Sequence, residues 1–339
     1  MTKFYKLLFF STLMLSTLIS VSSYSWMGMW IGLEINVLSI IPMLINQKNK
    51  ISSEATIKYF ITQAIASTAI MIAIITLMWQ SSFSSKLIKE MPALIMNSGF
   101  LMKMGMAPFH FWFPEVLEGL SWSNSTIMLT WQKIAPMVLF MYNVEFSLFL
   151  TIVIIMSMMI SGLMGINQIS LRKILVYSSI NHMGWMLSSM MVSQVIWIIY
   201  FVVYSLTTIN ITMILNYTNT FYTPQMMLVW NFNPMIKLFF SMNFLSLAGI
   251  PPFIGFLPKW LIIQTLVQNQ LYFMTLILIL MTLIMVYVYL MVIMSSMIYS
   301  SSSSVWNIPG TMKFKKIFSM MNFIMITSMI MVTLIINVI

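Results

Sequence analysis

The chain has 339 residues, 60% of them hydrophobic and only 6% charged, with a mean hydropathy of +0.96; a water-soluble domain carries about 25% charged residues. That balance excludes a soluble fold and makes the bilayer the solvent, and apolar runs of about 20 residues without period-two alternation exclude a barrel. The net charge of +10 has no soluble basic patch behind it, which excludes nucleic acid as a partner, and the absence of cysteine excludes disulfides, thiolate metal sites and iron–sulfur ligation on this chain.

The apolar pattern predicts an all-α polytopic membrane protein of about eleven transmembrane helices, each about 17–25 residues long. They fall at 4–21, 26–45, 55–79, 91–120, 124–142, 146–166, 174–192, 195–216, 234–267, 271–298 and 317–339. The first lacks a small-residue cleavage site and reads as a spanning helix rather than a signal peptide. Segments 91–120 and 234–267 are too long for one straight span, and each contains a helix break. Gly105-Met-Ala-Pro108-Phe-His-Phe-Trp-Phe-Pro114 and Gly249-Ile-Pro251-Pro252-Phe-Ile-Gly-Phe-Leu-Pro258 share Gly-x-x-Pro-Phe-x-x-x-x-Pro in one register. Non-helical backbone survives at membrane depth only inside protein or beside a wet cavity.

The two broken helices are separated by five segments, an odd number, so the second enters from the opposite face. This predicts two inverted five-helix repeats, each with a broken fourth helix, plus one C-terminal helix. The repeats are bounded at 1–143 and 144–299, with 300–339 as connector and last helix. Eleven of the basic loop residues, among them Lys3, Lys6, Lys48, Lys58, Arg172 and Lys173, fall on the N-terminal side, and Lys86 and Lys89 on the other. The asymmetry puts the N-terminus inside and the C-terminus outside. Stretches 217–233 and 300–316 read as surface connectors, and Trp26, Trp79, Trp122 and Trp197 as an aromatic belt.

Charges inside the spans carry the functional signal. Glu34 lies near the centre of the second segment, where a charge costs at least about 2.5–3.5 kcal/mol. Gly28 and Gly32 before it allow another helix to approach closely. Lys103 lies 13 residues after Glu90, roughly 20 Å along a helix and beyond the reach of snorkelling. Glu34 is its simplest partner, and separating the two would turn the lysine into a switchable proton carrier. Lys133 is mid-segment, with Pro136 loosening the helix after it. Lys259 follows the last proline of the second break. Neither has an acidic residue nearby in sequence. Each interior lysine could alone be a fixed counter-charge, and Glu34 a neutral hydrogen-bonding acid; together, in a chain with so few charges, they point to a relay. His182, among hydroxyl and amide groups, is a possible relay member, whereas His110 could equally satisfy carbonyls freed by the first break. Glu115, Glu118 and Glu145 read as solvated, and Arg172 and Lys173 as topology determinants. Two distant histidines make no metal site, and no nucleotide, flavin or hydrolytic motif is present.

Trp30-Ile-Gly-Leu-Glu34-Ile-Asn, Glu54-Ala-x-x-Lys58-Tyr-Phe, Lys103-Met-Gly-Met-Ala-Pro-Phe-His-Phe-Trp112, Thr130-Trp-Gln-Lys133-Ile-Ala-Pro, Ser170-Leu-Arg-Lys-x-x-x-Tyr-Ser-Ser-Ile-Asn-His182 and Leu257-Pro-Lys259-Trp stand in order along the chain. With these motifs it resembles the antiporter-like membrane subunits of mitochondrial respiratory complex I. The resemblance implies a proton-pumping module of the membrane arm, driven by NADH-to-ubiquinone electron transfer in other subunits. Glu34 and Lys103 would be its glutamate–lysine pair, Lys133 the connecting lysine and Lys259 the lysine on the second broken helix. It also implies that this chain binds no cofactor. NADH, FMN, iron–sulfur clusters and ubiquinone would belong to the whole complex. The implied partners are other membrane-arm subunits, including further antiporter-like ones, and phospholipids. The implied location is the mitochondrial inner membrane, with the N-terminus in the matrix and the C-terminus in the intermembrane space. Bacterial members have about fourteen helices, so this chain is expected to lack three at the N-terminus. The 40 methionines fit a mitochondrially encoded product. A stand-alone or Mrp-like cation/proton antiporter subunit, and a structural or assembly subunit without its own proton path, are the alternative readings.

Overall fold

The computed structural model describes residues 2–45, 49–80, 86–144, 148–230 and 234–298. The expected eleventh span, the 300–316 connector and Glu145 lie outside the described residues. Described elements are all helical: α1 (Thr2–Ser22), α2 (Trp26–Leu44), α3 (Lys50–Gln80), α4 (Lys86–Met104), α5 (Trp112–Gly119), α6 (Trp122–Leu129) and α7 (Trp131–Met141) come first. They are followed by α8 (Leu148–Ile166), α9 (Leu171–Met190), α10 (Gln194–Thr218), α11 (Thr223–Trp230), α12 (Pro234–Ala248), α13 (Phe256–Gln268) and α14 (Tyr272–Ile298).

Six described helices are long and apolar enough to cross a bilayer: α1, α2, α3, α8, α10 and α14. Their outward faces carry large aliphatic side chains, such as Ile57, Ile61 and Ile65 on α3 and Leu276, Leu280 and Leu283 on α14, as a lipid-facing surface requires. α9 differs. Its residues from Ile174 to Met190 are all buried, because α5, α6, α8, α10, α13 and α14 pack around it. It carries Ser178, Ser179, Asn181, His182, Ser188 and Ser189, which lipid would not tolerate and a wrapped position does.

Both predicted breaks are present. α4 ends at Met104, and α5 resumes the path at Trp112; α12 ends at Ala248, and α13 resumes at Phe256. Each first half ends on a glycine at positive φ, Gly105 (+70°) and Gly249 (+77°), a conformation that glycine adopts without penalty. The closing hydrogen bonds match. Met106 N donates to Leu101 O (3.0 Å) and Gly105 N to Met102 O (3.1 Å); Ile250 N donates to Leu245 O (3.4 Å) and Gly249 N to Ser246 O (3.1 Å). Both are Schellman caps, with the glycine at C′.

Three expectations need correction. The fifth span, expected as one helix over 124–142, is two, interrupted at Thr130 (φ −115°, ψ −69°). α7 runs unbroken through Pro136, whose ring crowds only the carbonyl of Gln132, so the interruption falls ahead of Lys133 and not, as expected, after it. Lys133 N donates to Thr130 O (3.3 Å) instead of to Leu129. The 217–233 stretch is partly ordered by α11 and by an antiparallel bridge between Ser170 and Tyr222. Trp122 belongs to no interfacial belt: it is 1% exposed, donates to Thr220 O (3.1 Å) and stacks on Phe221. Trp197 is buried too. The close approach expected at Gly32 is present, since a Cβ there would lie 2.7 Å from Ser20 N on α1.

Candidate functional site

The three interior lysines are the most deeply buried cations among the described residues: Lys103 is 6% exposed, Lys133 1% and Lys259 8%. Each sits where a helix is interrupted. Lys103 is in the last turn of α4, just before Gly105. Its Nζ is buried without a hydrogen-bond partner. Glu34, half-buried on α2, acts on it electrostatically, and Glu34 Oε1 is likewise buried without a donor. The pair is in range but not in contact, since the ion pairs among the described residues are Lys58–Glu115 and Lys173–Glu118.

Between Lys103 and Lys133 lies a cavity of about 20 Å³, whose polar lining is Asn36, Tyr59, Gln63, Gln132 and the two lysines. Its polar groups are already partly ordered. Gln132 Nε2 donates to Asn36 Oδ1 (2.8 Å), and Tyr59 Oη donates to Gln132 Oε1 (3.4 Å). About 10–15 Å³ suffices for one water where two to four polar partners are available, and this cavity meets both conditions.

Lys133 faces α10. Its Nζ donates to Tyr204 Oη (3.3 Å) and lies over the rings of Phe113 and Tyr204, 5.4 and 5.2 Å from their centroids. Tyr204 Oη in turn donates to Leu129 O (3.4 Å), the carbonyl that Lys133 N would have taken in an unbroken helix. The interruption at Thr130 thus creates the acceptor that orients Tyr204. His182 on α9 packs its ring against Tyr204 (5.1 Å between centroids), and its Nδ1 is hydrogen-bonded to Tyr200 Oη (2.8 Å). Both Lys133 and Lys259 act electrostatically on His182, so the imidazole is within range of each. Tyr289 on α14 approaches Ser178 on the same buried helix.

Lys259 closes the line. Its Nζ donates to Ala248 O (2.8 Å) and Leu247 O (3.4 Å), terminal carbonyls of α12 that have no intrahelical partner. A Cβ on Gly249 would lie 2.8 Å from Lys259 Cδ and 2.9 Å from its Nζ, so glycine serves both the backbone turn and the lysine's approach. Pro251 and Pro252 occupy the turn that follows, as Pro108 does in the first break.

Residues brought together without being singled out in the sequence are Asn36, Tyr59, Gln63, Gln132, Tyr200, Tyr204 and Tyr289. Asn36 and Gln132 lie within two residues of Glu34 and Lys133, so their proximity was available. The tyrosines sit on other helices and gave no local sign. His110 is buried, with Nδ1 unpartnered, and is not among the residues lining the cavity between Lys103 and Lys133. Glu118 is not simply solvated: it pairs with Lys173 at 2.8 Å, and Glu115 pairs with Lys58 across the surface. Arg172 does more than set topology. Its Nη1 donates to Leu120 O (2.7 Å), and its guanidinium lies 4.7 Å from the Phe221 centroid.

A polytopic helical bundle with two broken helices and a buried line of lysines is the architecture of an antiporter-like membrane subunit. Residues 23–286 match the family described as NADH:quinone oxidoreductase/Mrp antiporter, transmembrane. The chain belongs to that family. It is 49% identical over 271 residues to NADH-ubiquinone oxidoreductase chain 2 of Anopheles gambiae, covering 79% of each chain. To the protein of the same name from Locusta migratoria it is 42% identical over 306 residues, covering 89% of this chain and 88% of that one. The fold is also that of a chain in respiratory complex I from Thermus thermophilus (TM-score 0.86, 19% identity, 98% of this chain and 80% of that chain). It is shared with a chain of the Mrp complex from a Dietzia species (TM-score 0.72, 14% identity, 84% and 59%).

Proposed function

We propose that this chain is a proton-translocating, non-redox subunit in the membrane arm of mitochondrial complex I, a multi-pass protein of the inner membrane with its N-terminus on the matrix side. Protons pass along Lys103, the polar cavity, Lys133, the Tyr204–His182 group and Lys259. NADH oxidation and ubiquinone reduction take place in other subunits of the complex, which hold the redox cofactors. The observation that carries this reading is the burial of three lysine side chains, each at a helix interruption, with a water-sized polar cavity between Lys103 and Lys133 and the Tyr204–His182 group beside Lys133.

Among the described residues, Lys103 has only the Glu34 charge to balance its own, and no hydrogen bond. Drawing that carboxylate's charge elsewhere leaves an uncompensated ammonium in low dielectric, which costs several kcal/mol. The relief is loss of the proton. One water in the cavity can take it and protonate a neutral Lys133, whose resting contacts are a hydroxyl and two aromatic faces. His182, held through Nδ1 by Tyr200, is the next group toward Lys259. Lys259 receives the charge against the negative end of the α12 dipole. The two five-helix repeats, 1–143 and 144–299, would each contribute one broken helix to this line.

The test is Lys133→Met in the assembled complex, reconstituted in vesicles. Protons translocated per NADH oxidised should fall, with NADH oxidation by artificial acceptors retained. Unchanged translocation would leave a structural or assembly role. A strict sodium requirement for translocation would favour the cation/proton antiporter reading.

A further inference from the structure

The two ring nitrogens of His182 have different surroundings. Nδ1 is hydrogen-bonded to Tyr200 Oη at 2.8 Å, and Nε2 is buried without a partner. The ring is packed against two aromatic neighbours. Tyr200 and Tyr204, four residues apart and so on one face of α10, lie 5.8 and 5.1 Å from it between centroids. All three side chains are buried.

Chemistry decides which nitrogen can exchange a proton. A neutral imidazole has one N–H and one bare nitrogen, and the hydrogen bond made at one sets what the other can do. A tyrosine hydroxyl donates or accepts, so Tyr200 suits a bare Nδ1 and an Nδ1–H equally well while the ring is neutral. Charge removes the ambiguity. In the imidazolium both nitrogens carry hydrogen, and Nδ1–H donates to Tyr200 Oη. For that proton to leave, the hydroxyl would have to pass its own proton on. Among the described residues Tyr200 Oη has no other hydrogen bond through which to do so. The Nε2 proton is the one that can depart, and its departure leaves the bond from Nδ1–H to Tyr200 in place.

We infer that Tyr200 is a positioning residue that closes Nδ1 to proton transfer, so that His182 takes up and releases protons at Nε2 alone. This role rests on the proton path proposed above and adds the atom at which that path runs. A proton added at Nε2 of the neutral Nδ1–H form gives the imidazolium, and loss of that same proton restores the starting form. His182 therefore does not hand a proton through its ring from one nitrogen to the other. It holds one, and passes it toward Lys259 from the nitrogen that received it. Turning the ring over would break the 2.8 Å bond.

The experiment uses the assembled complex with isotopically labelled histidine, reconstituted in vesicles. Infrared difference spectra are recorded between the oxidised and NADH-reduced states, and subtraction of the His182→Asn spectrum isolates the His182 band. The C–N stretch of imidazole separates the two neutral forms. The parent should show the Nδ1–H form exchanging with imidazolium. In Tyr200→Phe the neutral form should become a mixture, and protons translocated per NADH oxidised should fall roughly two- to tenfold, the effect of one lost hydrogen bond. An Nε2–H form in the parent would overturn the proposal, as would a difference spectrum without a His182 band. So would unchanged translocation in Tyr200→Phe. Lys133→Met, run alongside, keeps the two readings apart. Translocation that survives Lys133→Met overturns the relay and the role of Tyr200 together, whereas translocation that falls there while the parent shows the Nε2–H form overturns the role of Tyr200 alone.

Discussion

The two broken helices end on the same backbone turn and use their lysines in opposite ways. In the first, neutral donors reach the last-turn carbonyls: Trp112 Nε1 donates to Met102 O (3.2 Å), beside the cap's own Gly105 N, and Gln63 Nε2 to Lys103 O (3.4 Å). The Lys103 ammonium is left with no hydrogen bond and a carboxylate at a distance. In the second, the ammonium of Lys259 is itself the cap, on Ala248 O and Leu247 O. A helix C-terminus carries roughly half a negative charge, so Lys259 has its counter-charge in the backbone. Lys103 has to find one in Glu34. In the proposed relay the first lysine is therefore the one that responds to its surroundings, and the second the stable resting place for charge.

The comparison breaks most sharply on truncating each lysine in the assembled complex. If Lys103 carries protons as proposed, Lys103→Met should reduce coupled turnover by on the order of a hundredfold, the typical lower contribution of a proton-transfer group. It should cost no hydrogen bond, since the ammonium makes none, and paired with Glu34→Gln, which removes the carboxylate it would orphan, it should leave the thermal midpoint nearly unchanged. Lys259→Met should lower both, with a stability loss of roughly 1.5–3 kcal/mol from the charge-assisted bonds it makes. Equal loss of stability in the two variants would remove the distinction.

A second pair separates backbone from lysine. Gly105→Ala and Gly249→Ala each force a side chain into positive φ, at roughly 1–2 kcal/mol. Only at Gly249 does the new Cβ meet the lysine, at 2.8–2.9 Å; at Gly105 it meets the Phe113 and Trp112 side chains at 3.1 Å. Both variants should unfold earlier in a thermal scan. Proton translocation per NADH should fall further in Gly249→Ala.

Much of this was legible in the chain. Glu34 and the three lysines stand out because hydrocarbon makes each of them expensive, and the shared Gly-x-x-Pro-Phe spacing marked both breaks. What the residues could not show is which partner each lysine takes. The echo in register even misleads: the place ten residues after Gly249 is Lys259, but the place ten after Gly105 is Glu115, which is largely exposed and pairs with Lys58. The counter-charge of Lys259 was invisible because it is a pair of backbone carbonyls rather than an acid. The split of the fifth span was hidden because Pro136, the breaker visible in the sequence, lies inside the continuous helix α7, while the interruption falls at Thr130. Tyr204 was missed because its partner, the Leu129 carbonyl, is free only once that split has occurred.

Tyr204→Phe tests that last link. It removes the hydroxyl between Lys133 and Leu129 O while keeping the ring over the ammonium. A hydrogen bond of this kind is worth about 0.5–1.5 kcal/mol, so coupled turnover should fall roughly two- to tenfold, with assembly intact. Turnover equal to that of the parent would take Tyr204 out of the proton path.

The smallest effect is expected where neutral caps are removed. Trp112→Phe removes the indole donor from Met102 O, which keeps its bond from Gly105 N, at a cost of about 0.5–1.5 kcal/mol. Lys103 cannot replace that donor: it belongs to the same last turn as the carbonyl, and helical side chains point back toward the N-terminus. The cavity beside Trp112 should instead admit water to the carbonyl, which would bring the loss toward the lower end of that range. The thermal midpoint should fall by a few degrees while coupling holds. A large fall in coupling without loss of stability would show that the indole sets the position of Lys103, and the contrast between a free lysine and a capping one would then have to be redrawn.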